Sequence, residues 1–86
     1  MKSPFILNLS TTQKSKLLKE LLHDLEKEWM QMTIQEYIYA GEYAKPKNIS
    51  KEKALENMGQ YQQRIRYIEE NIFALKHFAH EKKINI

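Results

Sequence analysis

Eighty-six residues at 10.3 kDa carry 42% hydrophobic and 29% charged residues and a net charge of +3, which fits one small globular domain and excludes a disordered chain or several domains. Cysteine is absent, so disulfides, thiolate metal sites and thiol catalysis are excluded together. Two glycines, two prolines and no valine leave little material for strands and turns, and point to an all-α fold.

In chain order, residues 1–9 read as an extended arm. Pro4 is followed by Phe5, Ile6 and Leu7, an apolar run too short for a signal-peptide core or a membrane span. The arm can strap the chain's own helices or dock on a second chain. The expected setting is cytoplasmic, with no membrane partner.

Ser10 opens helix A, predicted over residues 10–44. Gln13, three positions on, completes a capping box. Leu18, Leu22, Leu25, Trp29 and Met32 then recur at 4-3-4-3 spacing, the rhythm of a helix seam. Beyond Met32 the apolar face shifts to Met30, Ile34, Tyr37, Ile38 and Gly41. Thr33 with Glu36 is itself a capping-box pattern. The expectation is one long rod with a drifting face; a bend at Thr33 that makes a three-helix bundle is the alternative.

Residues 45–49 form the loop, because Pro46 pushes Lys45 away from helical dihedrals. Ser50 caps helix B, predicted over 50–83, with 84–86 as a tail. Its seam is the strongest pattern in the chain: Ala54, Met58, Tyr61, Ile65, Ile68, Ile72, Leu75 and Ala79. A short loop makes the rods antiparallel neighbours. Counting outward from it places Trp29 near Ile65, Leu22 near Ile72 and Leu18 near Lys76. The expected fold is thus an antiparallel helical hairpin. Leu18, Leu22, Leu25, Trp29, Ile65, Ile68, Ile72 and Leu75 are the expected core of a dimer or bundle built from it. Bulky residues remain off both seams, Tyr67, Phe73 and Phe78 among them. Burying each is worth about 1.5–3 kcal/mol, so a homodimer closing into a four-helix bundle is expected.

Signs of chemistry are weak. His77 and His80 share one side of helix B, with His23, Glu20, Asp24 and Glu81 in the same region, but two histidines at this spacing are a common accident. They read as solvent-edge residues near a helix C-terminus. Glu26 with Glu28, and Glu69 with Glu70, cannot face one cleft from neighbouring helix positions. Ser10, Ser15 and Ser50 lie in no nucleophile elbow, and no glycine-rich phosphate loop occurs. The expectation is no enzyme, no metal and no cofactor.

Charge is patterned. Lys45, Lys47, Lys51 and Lys53 crowd the loop end; Lys14, Lys16 and Lys19 meet Lys76, Lys82 and Lys83 at the other; the waist is acidic. The loop lysines are candidate anion contacts. Only Arg64 and Arg66 of the fourteen basic residues are arginine, the residue of choice for reading bases. Tyr37, Tyr39 and Tyr43, with Met58 and Tyr61, gather near the loop and are candidate partner-binding residues, since tyrosine and methionine suit protein interfaces. Size and architecture match many small helical regulators of bacteria and phages. The leading expectation is a non-enzymatic protein–protein interaction module acting as regulator, inhibitor or adaptor; the alternative is a nucleic-acid-binding accessory protein using its lysine-rich ends.

Overall fold

The computed structural model describes residues 9–86. Two helices fill it, α1 (Thr11–Ala44) and α2 (Lys51–Glu81), and they pack along their length as an antiparallel all-α hairpin. The molecule measures 53 × 21 × 19 Å, with a radius of gyration of 17.8 Å, where a compact chain of this size has about 12 Å. It is a rod two helices thick.

Local chemistry sets both helix starts. The Ser10 hydroxyl accepts from the Gln13 N–H at 3.2 Å, and the Ser10 N–H donates to Gln13 Oε1 at 2.9 Å, so the capping box is complete. Ser50 caps α2 by accepting from the Lys53 N–H at 3.1 Å. The alternative break at Thr33 does not occur. Its hydroxyl donates to the Trp29 carbonyl one turn back, at 2.8 Å. Spent in this way, it caps no new helix, and α1 runs through as a single rod rather than part of a three-helix bundle.

Every residue of the α2 seam is buried or half-buried, as are Leu18, Leu22, Leu25, Trp29 and Met32 on α1. The drift expected after Met32 is corrected by the structure. The heptad continues straight through Glu36 and Tyr39, both half-buried, while Met30, Ile34, Tyr37 and Ile38 stay exposed. The α2 ridge still runs toward the loop, so α1 must keep the same face to it even where that face carries a glutamate.

Three side-chain links cross the seam: Trp29 Nε1 donates to Glu69 Oε2 at 3.0 Å, Arg64 Nε donates to Glu28 Oε1 at 3.0 Å, and the Tyr39 and Tyr61 rings stack 5.7 Å apart. Against the loop-outward count the Glu69 and Tyr61 partners lie further along α2 and the Arg64 partner slightly short of it, as long side chains reach along the seam from its edges.

The core is thin. Among the described residues Ala54, Ile68, Ala79 and Ile84 are buried, and Ile68 is the one large side chain almost fully enclosed, at 1% exposure. Ile84 owes its place to the helix end. The Ile84 N–H donates to the Ala79 carbonyl at 2.8 Å and the Lys83 N–H to the His80 carbonyl at 3.1 Å, the paired bonds of a Schellman cap. Lys83 takes the left-handed conformation this cap needs, φ 55°. The tail turns back on α1, where the Ser15 hydroxyl donates to the Asn85 carbonyl.

Thermal unfolding followed by circular dichroism should separate these positions. Ile68→Ala should cost about 2–5 kcal/mol through the lost burial and residual cavity. Tyr37→Ala, at a side chain 78% exposed, should shift stability by less than about 0.5 kcal/mol. Lys83→Gly should raise stability by about 1 kcal/mol, because glycine adopts the left-handed region without the Cβ penalty.

Candidate interaction surface

Heptad packing sorts the candidate residues onto different faces. Tyr39 and Tyr61 stack within the inter-helix seam, their planes 14° apart, and Met58 is half-buried on the same ridge. Tyr43 lies at the rim, with Lys51 Nζ 5.0 Å from its ring centre. Tyr37 stands alone on the outer side of α1, because residues two apart on a helix point in nearly opposite directions. The five residues therefore do not form one patch. Tyr39, Tyr61 and Met58 help hold the hairpin, and Tyr37 faces solvent.

The outer face of α1 carries four exposed apolar side chains. Met30, Ile34, Tyr37 and Ile38 are 53%, 51%, 78% and 48% exposed. From Trp29 to Gly41 the one charged residue is Glu36, which is half-buried in the seam rather than on this face. On α2, Phe73 is 73% exposed and stacks on His77 with ring centres 6.2 Å apart; Tyr67 and Phe78 are also exposed. Shallow grooves run along both edges of the hairpin. Trp29, Met30, Glu69 and Ile72 line one; Leu21, Leu25, Asn71 and Leu75 line the other.

At the loop end Lys45, Lys47, Lys51 and Lys53 are all exposed. Acidic neighbours temper them: Lys53 Nζ is 3.6 Å from Glu56 Oε1, and Glu42 is folded into the loop itself. Glu42 Oε2 accepts the Lys47 N–H at 3.1 Å and the Asn48 N–H at 3.3 Å, while Oε1 accepts the Asn48 amide at 3.2 Å. These bonds hold the Glu42 carboxyl below the usual glutamate range. The Lys47 N–H contributes most and the Asn48 N–H next, with slight desolvation acting the other way. The pattern was hidden in sequence; an acid three residues before a Pro-containing loop was the available signal.

Arg64, one of only two arginines, is committed to Glu28 and lies 5.8 Å from the Tyr67 ring centre. Glu28 and Glu69 of the acidic waist thus serve as cross-helix acceptors. His77 Nε2 lies 3.7 Å from Glu81 Oε1. Among the described residues no three His, Asp or Glu side chains are grouped so as to hold a metal ion, and no helix is long and apolar enough to cross a membrane.

No protein-family model, curated protein or solved structure matches this chain.

A titration tests the loop. A carboxyl with a lowered folded pKa contributes stability that is present above its unfolded value, about 4.3, and is lost as pH falls through the folded value. The backbone amide resonances of Lys47 and Asn48 should therefore move in step below the ordinary glutamate range. In Glu42→Gln that acidic transition should vanish, with both amides exchanging faster at neutral pH.

Proposed function

We propose that the protein is a non-enzymatic protein–protein interaction module, a regulator, inhibitor or adaptor that works as a homodimer. One observation carries this reading. Among the described residues ten large apolar side chains remain exposed, while a single large one, Ile68, is almost fully enclosed. Scattered surface apolar residues need no explanation, but a run of them on one uncharged helix face does. Such a face is stabilised when another apolar surface excludes water from it. Two straight helices tied across the middle by Trp29–Glu69 and Arg64–Glu28 make a stiff support for that face.

The nucleic-acid reading draws on the exposed loop lysines. It is weakened by the acidic residues among them and by the engagement of Arg64 with Glu28.

A comparative capture experiment separates the two. The full chain is immobilised and retained proteins are quantified for the wild type, for Tyr37→Glu with Phe73→Glu, and for a variant with Lys45, Lys47, Lys51 and Lys53 all changed to Glu. The aromatic double variant should keep its helix content and lose at least tenfold of the specific binding. Equal capture by that variant and the wild type would overturn the proposal. Retention on heparin that falls steeply with salt and disappears in the lysine variant would establish the alternative.

A further inference from the structure

The side-chain links that cross the seam are unevenly placed. Among the described residues Tyr39 with Tyr61, Arg64 with Glu28 and Trp29 with Glu69 hold the loop half and the middle. Below Trp29 the seam consists of half-buried Leu18, Leu22, Leu25, Ile72 and Leu75. A polar link returns at the far end, where the Ser15 hydroxyl donates to the Asn85 carbonyl and joins residues 70 apart in sequence.

The segment that makes this bond is packed and strained at once. Ile84 is buried, Ile86 is half-buried, and Ala79, whose carbonyl accepts the Ile84 N–H, is 1% exposed. A Schellman cap commonly sets these two positions against each other as an apolar contact. Closing the cap forces Lys83 to φ 55°, where a Cβ crowds the following carbonyl oxygen. Glycine is the usual residue at this point. The closed form is therefore favoured by Ile84 burial, two backbone bonds and the Ser15 bond, and opposed by a left-handed lysine.

We propose that residues 82–86 are a strap that opens as a unit while the rest of the hairpin stays folded, and so gates the far end of the seam around Ala79. Lys83 is the hinge, which relaxes to an ordinary backbone conformation on opening. Ile84 and Asn85 are the two fastenings. Opening gives up one large buried side chain, whereas unfolding the hairpin gives up Ile68 and the whole seam. A segment with so few contacts to break opens at a lower free energy than the molecule as a whole. The strap would work in the same way in a hairpin that has no partner.

Thiol labelling tests the strap on the full chain, which has no cysteine of its own. Ile84→Cys places one thiol at a fastening, and Phe73→Cys places one at an exposed control site. Labelling at 84 should be at least about tenfold slower than at 73, because the reagent must wait for opening. Adding Lys83→Gly should slow it a further fivefold or more, roughly, by removing the left-handed penalty from the closed form. Adding Ser15→Ala should instead speed it about threefold, a response across 70 residues that simple fraying of one end would not give. Ile68→Val lowers the stability of the whole hairpin and should leave labelling at 84 unchanged. Helix content by circular dichroism should be the same in every variant.

Hydrogen exchange of the Ile84 amide, without any cysteine, should respond to Lys83→Gly and Ser15→Ala in the same directions, which keeps the test sound if Ile84→Cys itself loosens the closure. Two results would overturn the proposal. One is an unprotected Ile84 amide together with a rate at 84 that matches the control site or ignores Lys83→Gly and Ser15→Ala, which means no closed strap. The other is a rate that rises with Ile68→Val, which means that the segment opens only when the hairpin unfolds.

Discussion

Interdigitation along one seam governs this structure. Two amphipathic helices with heptad ridges have few ways to meet, and the antiparallel pairing that alternates their heptads is the one that seats side chains between side chains. The polar links at its edges, Trp29 to Glu69 and Arg64 to Glu28, follow from it. Those links are exposed, so they define register and orientation more than they add stability. The enclosed apolar volume is small, with Ile68 at its centre, and the fold has little reserve against the entropy of ordering two long rods.

The ends compensate in part. At one end Glu42 gathers three N–H donors and turns a lysine-rich loop into a tied connection. At the other, the Schellman cap around Lys83 folds Ile84 into the core and brings the tail against Ser15. Both devices satisfy backbone groups that a helix terminus leaves open. Each also fixes where basic side chains stand, since the loop lysines are carried on a backbone that Glu42 holds.

The same seam leaves apolar surface on the outside. The first ridge of α1 is occupied by α2, and among the described residues the second apolar ridge is exposed.

Much of the hairpin was legible in the linear sequence because its determinants are local. The Ser10 and Ser50 caps, the Pro46 loop and the unbroken α2 seam each depend on residues within a few turns of one another. What lay beyond reading depends on groups that meet only after folding. Which apolar stripe of α1 faces inward was decided by α2, which keeps Glu36 in the seam and leaves Ile34 outside. The tyrosine cluster divided for the same reason: adjacency in sequence cannot say which side of a rod a partner will cover. Periodicity determines that a helix has a face; only the opposing helix, by filling its gaps, determines which face is used and at what register.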